Sequence, residues 1–563
     1  MKVVLILLQT ITVLFVMVCS STAQNLNNVA WQRVLGGFNG EYIGESFNSG
    51  GSGSDKVLAQ DDSLNIYLLT GSLSGIGGDK NSTHVGNIVK PDYWLVKMDA
   101  TGNILWEKNY GGQNMDIPVS LLVDTLRRFI YLVGVSKSPV SGQKTQPVIG
   151  KEDIWILKLD WEGNIIWDRV YGGPEEDAPQ AAVIMSNGNL MLACFSLSYL
   201  GGGNISYTGW QYASNTWILT IDQNGIIIWD RWLGNDYSND DISAMISNGN
   251  NVVLCGSTRA FNGSSIRDVT TGVHWAGGTS GYDYDGWVVM LDTNGINLWN
   301  KTLGSNDFEA FETCAKGIDG CFYFGGITNT ASNNGDVQDS LRGIGDSWVV
   351  KLDSLGNLLQ DKTLGGLSGE ILRNMSANGQ YVYCGIHSNS DVNDQILDSI
   401  VDGYDTWLIA LDTALDIKWS KRFGVLGYDS YHFGLLAVSD SELIYAGLVT
   451  PQSGGDFTLN CWDTINNNPD WWLVKFAPSI STSVLEPVSP LKNSLCYPNP
   501  ASDNILFEVN SKAELFITDA TGRIIRRMRN ETTERKVLVN IQSLSSGFYI
   551  ISNGIEFCKF MKQ

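Results

Sequence analysis

The sequence repeats a unit of about sixty residues, and this repeat constrains the possible fold more than any other feature. Each unit carries a Trp inside a short apolar run, and successive Trp are 61, 62, 70, 61, 59 and 65 residues apart. They are Trp94, Trp155, Trp217, Trp287, Trp348, Trp407 and Trp472. A second Trp follows twelve residues later in most units, with Gln360 in that place once. Similarity at a fixed period indicates one supersecondary unit repeated along a single body.

Within a unit, the pattern predicts four short antiparallel strands. In the second unit these are Asp116–Leu122, Phe129–Gly134, Ile154–Leu159 and Ile165–Tyr171, with a loop of about 17 residues before the third. Short apolar alternation bounded by Gly, Asp and Asn is typical of strands and hairpin turns. Four such strands in each of several units predict the blades of a β-propeller.

The turn between the third and fourth strands has its own signature. An Asp precedes the turn and is expected to accept hydrogen bonds from the turn's backbone N–H groups. A Gly then supplies the positive φ that a tight hairpin needs. Leu415 stands in the Gly place once, so a different turn is expected there. The Asp positions are Asp99, Asp160, Asp222, Asp292, Asp353 and Asp412.

The two ends of the array are complementary. The last unit stops at Trp472–Phe476 and lacks a fourth strand, while an isolated fourth strand, Ala30–Leu35, stands at the beginning. If these two segments pair, no sheet edge is left bare. The prediction is therefore an all-β chain whose seven-bladed β-propeller is closed by the N-terminal strand.

Composition excludes some classes of function. The net charge of −22 disfavours binding to phosphate backbones, so no nucleic-acid partner is expected. The four His are scattered, and no CxxC or His/Cys cluster predicts a metal site. No nucleophile elbow or paired carboxylates stand out, so no catalytic residue is assigned and no cofactor is expected.

The segment at the N-terminus, Met1 to Ala23, is predicted to be a cleaved signal peptide. A Lys lies near its start, an apolar run extends from Val3 to Val18, and small residues end it. No other run reaches the roughly 18 apolar residues of a membrane span, so the mature chain is expected to have no transmembrane segment. The predicted domains are the signal peptide (1–23), the propeller (24–478), a linker (479–492) and a C-terminal domain (493–563).

The repeat motif resembles known propeller families. The x-L-D-x-x-G-x-x-x-W pattern, seen from Leu159 to Trp167, resembles the tryptophan-docking repeats of quinoprotein-like propellers. The chain from Ala30 to Pro478 is also similar to the W-x-K-x-x-G-G and D-x-W-x-V-K-L-D repeats of secreted Bacteroidetes propellers. The adjacent Cys-Cys of quinone dehydrogenases is absent. The resemblance therefore implies architecture and is nearly silent on function.

The last seventy or so residues read as about six strands, which predicts a small C-terminal β-sandwich. They resemble the type A C-terminal sorting domain of the type IX secretion system, through Tyr497–Ser502, Asp519–Arg523, Leu544–Tyr549 and Lys559–Lys562. The resemblance implies a Bacteroidetes source, the type IX machinery as a partner, and secretion or outer-membrane surface location after periplasmic transit. The motif residues are Pro498, Asn499, Pro500, Gly522, Gly547, Tyr549 and Lys559.

The loops between second and third strands vary most, and they carry the candidate ligand-binding residues. Aromatic side chains lie there among Gly, Ser and Asn: Trp210, Tyr212, Trp275 and Trp462. Long variable loops on one face of a rigid scaffold commonly hold binding sites. The favoured hypothesis is a non-catalytic binding or adhesion module for a glycan or protein. Two alternatives stay open: a secreted hydrolase or lyase acting on polysaccharide or peptide, and a structural component of the cell surface.

Overall fold

The computed structural model of the protein describes residues 29–42, 56–87, 89–207, 215–234, 240–258, 284–305, 307–330, 335–393, 395–401, 403–425, 433–439, 441–450, 455–457, 459–462, 468–477, 492–493, 496–508, 514–519, 524–529, 536–552 and 556–563. The predicted signal peptide lies outside these residues. The chain divides into two compact units, Met1–Ile480 and Ser481–Gln563, and each is described by itself.

The described part of the first unit is built from short strands. They are β1 (Val29–Leu35), β2 (Glu41–Tyr42), β3 (Leu58–Gln60), β4 (Ile66–Ser72), β5 (Asp92–Met98), β6 (Ile104–Tyr110), β7 (Asp116–Asp124), β8 (Phe129–Ser136), β9 (Asp153–Leu159), β10 (Ile165–Tyr171), β11 (Asp177–Ile184), β12 (Leu190–Ser196), β13 (Asn215–Ile221), β14 (Ile227–Leu233), β15 (Asp241–Asn248), β16 (Asn251–Thr258), β17 (Asp285–Asp292), β18 (Asn297–Leu303), β19 (Glu309–Lys316), β20 (Phe322–Thr328), β21 (Asp346–Leu352), β22 (Leu358–Leu364), β23 (Glu370–Asn378), β24 (Tyr381–Ser388), β25 (Asp405–Leu411), β26 (Ile417–Phe423), β27 (Phe433–Ser439), β28 (Glu442–Val449) and β29 (Asp470–Phe476).

These strands form repeated antiparallel sheets. Five sheets follow the chain in consecutive blocks of four, namely β7–β10, β11–β14, β15–β18, β19–β22 and β23–β26. A further sheet has the order β2-β4-β5-β6, with β3 also paired to β4. Another has the order β1-β29-β28-β27. The prediction of an all-β chain with repeated four-stranded sheets is confirmed.

The first described strand completes the last sheet of this unit. β1 pairs antiparallel with β29, from Val29 opposite Phe476 to Leu35 opposite Trp471. The indole Nε1 of Trp472 donates a hydrogen bond of 3.1 Å to the side chain of Gln32 across this pair. Strand β29 thus has a partner on both sides, because β28 occupies its other edge.

One edge strand of each sheet, here called its innermost strand, contacts the corresponding strands of the neighbouring sheets. β3 contacts β7, and the series continues through β11, β15, β19 and β23 to β27. β27 also contacts β3, and Trp471 on β29 donates from Nε1 to the hydroxyl of Thr70 on β4 at 2.7 Å. The last sheet is therefore a neighbour of the first.

The Trp that mark the repeat lie in the core between sheets. Trp217 on β13 is fully buried and packs in one cluster with Tyr131 and Val133 of the preceding sheet. Trp287 packs in the same manner against Ala193 and Ile218. Burial of a large aromatic side chain is a major stabilising contribution, so these Trp join their sheets to the preceding ones.

The turns between third and fourth strands follow the predicted chemistry, with one correction. Asp160 accepts bonds from the N–H groups of Glu162 (3.0 Å) and Asn164 (2.7 Å), and Gly163 has φ 78°. The expectation of a different turn at Leu415 is wrong, because Leu415 adopts φ 59° and Asp412 accepts the equivalent two bonds. Leu415 is completely buried in an apolar cluster, and this packing offsets the cost of the left-handed backbone.

The second unit is also all-β. Its strands are β30 (Lys492–Asn493), β31 (Cys496–Tyr497), β32 (Asn504–Glu508), β33 (Glu514–Asp519), β34 (Ile524–Arg529), β35 (Lys536–Asn540), β36 (Gly547–Ser552) and β37 (Glu556–Lys562). They form two sheets, β30-β37-β36-β33-β34 and β31-β32-β35, which share one apolar core. A disulfide between Cys496 and Cys558 connects the two sheets. Across the described ranges of both units, no helix has the length and apolar character needed to span a membrane.

Candidate functional site

The long loops and the connections between sheets lie at the same end of the first unit. In an antiparallel four-stranded sheet, the loop after the second strand and the connection after the fourth leave from one end. Hydrogen bonds between them show this directly, since Asn114 N–H donates to Ser138 Oγ and Ser368 N–H donates to Ser390 Oγ, both at 2.8 Å. We call this end the loop face.

An Asp begins every third strand except β13, which begins with Asn215, and several of these Asp fix the adjoining loop. Asp92 accepts a bond from Val85 N–H at 2.7 Å, and Asp346 accepts one from Arg342 N–H at 2.8 Å. Asp405 accepts the N–H of Val401 at 2.8 Å in the same way. Charge-assisted bonds of this kind hold the base of each loop against its sheet.

The repeated Trp also bond to acids that hold loops. Trp155 Nε1 donates to Asp168 at 3.1 Å, and Asp168 accepts the N–H of Thr145 at 2.9 Å. Trp217 Nε1 donates to Asp230 at 3.0 Å. Each of these Trp therefore packs in the core and also helps to hold a loop. These two structural roles explain why the Trp recurs, and no ligand is needed to explain it.

A second series of acids is buried at the start of the innermost strands. Asp116 accepts bonds from Gly112 N–H (2.7 Å) and Ser138 Oγ (2.9 Å), and Asp177 does so from Gly173 N–H (2.7 Å) and Ser198 Oγ (2.9 Å). Burial raises the pKa of Asp116 to about 6. Acids that repeat at equivalent buried positions and serve the backbone are structural, because they present nothing to a substrate.

The described His side chains do not form a catalytic constellation. His387 is buried and stacks on Tyr404, with ring centroids 4.6 Å apart. His84 Nδ1 lies 3.2 Å from Asp92, which already holds a loop. Within the ranges that the structure covers, no group of three His, Cys, Asp or Glu is arranged to hold a metal ion.

Of the four aromatic residues predicted to bind a ligand, the structure describes one. Trp210, Tyr212 and Trp275 lie outside the described residues. Trp462 lies on the loop face with 43% of its surface exposed. Its indole Nε1 donates to Asp79 Oδ2 at 2.7 Å, and its backbone N–H donates to Asp470 Oδ2 at 2.6 Å.

A second exposed ring, Phe38, lies against the same loop as Trp462 and was not identified from the sequence. Phe38 is 56% exposed. A Cβ atom on Gly77 would lie 2.3 Å from the Phe38 ring, and one on Gly78 would lie 3.0 Å from Trp462 Cγ. The two rings therefore rest on adjacent glycines of one loop. We call Phe38, Gly77, Gly78 and Trp462 the aromatic patch.

Polar groups beside the patch fix its geometry. Asp79 binds both the Trp462 indole and Arg33, whose Nη2 lies 3.1 Å from Asp79 Oδ1. Asp79 N–H also donates to Gly36 O at 2.9 Å. The indole bond to Asp79 holds the Trp462 ring and the backbone bond to Asp470 holds its main chain, so Trp462 loses little further rotamer entropy when a ligand binds.

Apolar exposure extends over the loop face beyond the patch. The loops and connections there present large apolar side chains from several sheets to solvent: Ile76, Val89, Val140, Ile149, Leu200, Tyr207, Ile344, Leu367, Val392, Leu397 and Tyr404. Exposed apolar side chains also lie elsewhere in this unit, as at Leu105, Ile228 and Leu355, so exposure on the loop face does not by itself mark an interaction surface.

The predicted sorting residues lie in the second unit. Asn499 donates from Nδ2 to Lys559 O at 2.8 Å and accepts the N–H of Met561 at 2.9 Å. Tyr549 OH donates to Ser545 O at 3.0 Å, and Gly547 begins β36. Pro498 and Pro500 follow cis peptide bonds, and Gly522 lies outside the described residues. The first and last motifs are thus hydrogen-bonded to each other.

Comparison with protein families identifies this second unit. Residues 495–556 match the family of the secretion system C-terminal sorting domain. The chain therefore carries a type IX sorting domain, which indicates secretion to the cell surface or the extracellular space. No curated protein matches the chain.

Solved structures similar to the chain are propeller-like. The WD40 domain of Neurospora crassa Pan2 is 10% identical, with 79% of this chain and 95% of that one covered and a TM-score of 0.39. The polysaccharide lyase Uly1 is 8% identical, with 79% and 99% covered and a TM-score of 0.43. A putative 6-phosphogluconolactonase from Bacteroides fragilis is 11% identical, with 69% and 97% covered and a TM-score of 0.31. Likeness at this level says nothing about activity or ligand.

Proposed function

We propose that this exported chain is a non-catalytic glycan-binding module, built on a seven-bladed β-propeller and delivered by its type IX sorting domain. The propeller comprises residues 24–478 and follows a signal peptide at 1–23. A linker at 479–492 connects it to the sorting domain at 493–563. The signal peptide takes the chain to the periplasm, and the sorting domain engages the type IX machinery for passage across the outer membrane.

Three observations support a closed ring of seven blades. β1 supplies the fourth strand of the sheet that contains β29. The innermost strand of that sheet, β27, contacts β3 as well as β23. The bond from Trp471 to Thr70 joins residues 401 positions apart in the chain. Closure completes the sheet that contains β29, so this strand is not left as an unpaired edge and only short edges remain on each sheet.

The aromatic patch is the observation that carries the binding proposal. Phe38 and Trp462 offer two exposed apolar ring surfaces, and the Trp462 ring is held by its bond to Asp79 before any ligand arrives. Asp79 and Arg33 lie beside them and can exchange hydrogen bonds with hydroxyl groups. Apolar walls with a few oriented polar groups are the composition of small-ligand sites, and a pyranose ring offers the matching apolar face and hydroxyl rim.

A hydrolase or lyase receives no comparable support from the described residues. The carboxylates with raised pKa, such as Asp116, are buried and bonded to the backbone. On the loop face, Asp92 holds a loop and Asp79 accepts the Trp462 indole. We therefore assign no catalytic residue.

The test is a polysaccharide array probed with the mature full-length protein, followed by titration of any glycan that binds. Phe38→Ala and Trp462→Ala are each expected to weaken binding at least tenfold, because central aromatic residues dominate such sites. Phe548→Ala is the matched control, since Phe548 is 68% exposed in the second unit and should not affect binding. Absence of binding to every glycan, or binding that both loop-face variants retain, would refute the proposal.

A further inference from the structure

A lysine crosses the middle of the first unit, between sheets that are distant in the chain. Lys56 precedes β3, and its Nζ donates a hydrogen bond of 2.6 Å to the backbone carbonyl of Met245 on β15. The two residues are 189 positions apart. The Lys56 carbonyl accepts the N–H of Leu121 at 2.8 Å, which fixes the backbone from which this side chain extends.

The lysine lines a cavity of about 160 Å³ between the innermost strands. Leu58, Ala244, Met375, Leu435 and Leu436 make much of its wall apolar, while the polar residues of the lining lie on β19 and β23: Thr313, Cys314, Asn374 and Ser376. Ser376 Oγ accepts the N–H of Ala437 at 2.9 Å, so its hydroxyl hydrogen remains available to a further acceptor. An engineered cavity of about 150 Å³ holds benzene, so this volume suits a ligand of about six non-hydrogen atoms.

The charge of Lys56 is not balanced by a described carboxylate. Among the described side chains, no Asp or Glu forms an ion pair with Lys56, whose one hydrogen-bond acceptor there is the Met245 carbonyl. The titratable groups that act on it are the thiols of Cys314 and Cys255. Burial holds the pKa of Cys255 well above its usual range, so that thiol is neutral at physiological pH. Burial also lowers the pKa of Lys56, because the ammonium lacks water and an anion.

We propose that this cavity is a binding site for a short-chain monocarboxylate, with its carboxylate on Lys56 and its hydrocarbon chain against the leucines. A buried cation is costly unless it is paired, and a single monovalent anion supplies the missing charge. The hydroxyl and amide groups of Thr313, Ser376 and Asn374 are the polar neighbours of the carboxylate. The apolar wall selects a ligand with a hydrocarbon chain over a bare inorganic anion. This site is independent of the aromatic patch.

The test is calorimetric titration of the full-length protein with sodium butyrate, which has about six non-hydrogen atoms, the size that the cavity suits. The same titration is made with butyramide, which lacks the negative charge, and with sodium chloride, which lacks the hydrocarbon chain. The two controls test separately whether the charge and the chain are needed for binding. Butyrate is expected to bind at millimolar concentration or below and to raise the unfolding temperature, while the other two do neither.

Two variants locate the site. Lys56→Met keeps the length of the side chain and is expected to weaken butyrate binding at least tenfold. Thr313→Val keeps Lys56 and its bond to Met245, and is expected to weaken binding several-fold even if Lys56→Met folds poorly. Lys158→Met is the control, because Lys158 Nζ also donates to a backbone carbonyl, that of Gln223 at 2.9 Å, outside the cavity. Undetectable butyrate binding, equal binding of butyramide or chloride, or unchanged binding in Lys56→Met and Thr313→Val would overturn the proposal.

Discussion

Gln360 donates from Nε2 to the backbone carbonyl of Ala414 at 2.9 Å, where other sheets place a Trp. At equivalent interfaces, the indole Nε1 of Trp229 donates to Thr293 O at 2.9 Å and that of Trp167 donates to Gln223 O at 3.1 Å. The two exceptions in the repeat, Gln in a Trp place and Leu in a Gly place, therefore meet at one interface. Gln360, which is smaller than the usual Trp, therefore lies at the same interface as Leu415, which is larger than the usual Gly.

This pairing predicts a coupling between Gln360 and Leu415. Gln360→Trp alone should destabilise the protein by roughly 1–3 kcal/mol, because the indole would overlap the Leu415 turn. Leu415→Gly alone should cost roughly 2–5 kcal/mol through loss of a buried side chain. The double variant should be more stable than the sum of the two effects implies, as measured by denaturant unfolding. Strict additivity would show that the two positions do not interact.

The glycine of a normal interface should tolerate no side chain. Gly356 has φ 79°, and a Cβ atom there would lie 2.9 Å from the ring of Trp299. Gly320 has φ 78°, and a Cβ atom added to it would meet nothing within 4 Å. Gly320→Ala should cost roughly 1–2 kcal/mol for backbone strain alone, and Gly356→Ala should cost roughly 1–3 kcal/mol more because of the ring contact. Equal shifts in the denaturation midpoint would contradict a role for the Trp contact.

Stability should fall as pH rises through about 6. Burial raises the pKa of Asp92, Asp116 and Asp153 to about 6, from an ordinary value of 3.8. A carboxyl group with a raised pKa binds its proton more tightly in the folded state than in the unfolded state. This proton binding adds to the free energy of unfolding at low pH, and the added stability is lost as the pH rises through the folded-state pKa. Thermal unfolding should therefore show a higher midpoint at about pH 5 than at about pH 7.5.

A single substitution should reduce this pH dependence. Asp116→Asn removes one titrating group, and the difference in stability between about pH 5 and about pH 7.5 should shrink by on the order of 1 kcal/mol. The comparison stops at about pH 7.5 because burial lowers the pKa of Lys80 and Lys144 to about 8, and above that pH these lysines also titrate in the folded state. An unchanged pH profile in this variant would show that Asp116 is not among the responsible groups.

The disulfide should stabilise the second unit and have no effect on the stability of the first. Cys496 and Cys558 are 62 positions apart, and closing a loop of this size commonly contributes about 2–4 kcal/mol. Replacing both by Ser should lower the unfolding temperature of the second unit and leave that of the first unchanged. Calorimetry with and without reductant measures both transitions, and reductant should have no effect on the double-Ser variant.

The sequence predicted the repeated sheets well because their signals are local. A Trp in an alternating run, an Asp before a turn and a Gly within it each act on neighbouring residues, and the structure confirms the strands around Trp155 and the turn at Gly163. Leu415 was misjudged because its cost is offset by packing with residues from another unit of the repeat. Tertiary packing of this kind leaves no mark within a short window of sequence.

The candidate sites were harder to predict from the sequence than the sheets were, because their residues are distant from one another in the chain. Trp462 was named because it is an aromatic residue in a long loop, yet its partners Asp79 and Gly78 lie almost four hundred positions earlier in the chain. Phe38 lies in a short connection and gave no signal, since its exposure depends on Gly77 beneath it. Lys56 was overlooked for the same reason, because nothing near it in sequence indicates Met245.

The pairing of β1 with β29 has a consequence for the order in which the sheets can form. The first strand finds its partner only after the chain has been made as far as Phe476, and Gln32 and Trp472 are separated by 440 positions. Closing so long a segment is entropically slow compared with forming a local hairpin. A chain under synthesis therefore lacks its final sheet until Phe476 has been made, so the sheet that joins the two ends of the repeat array is the last to form.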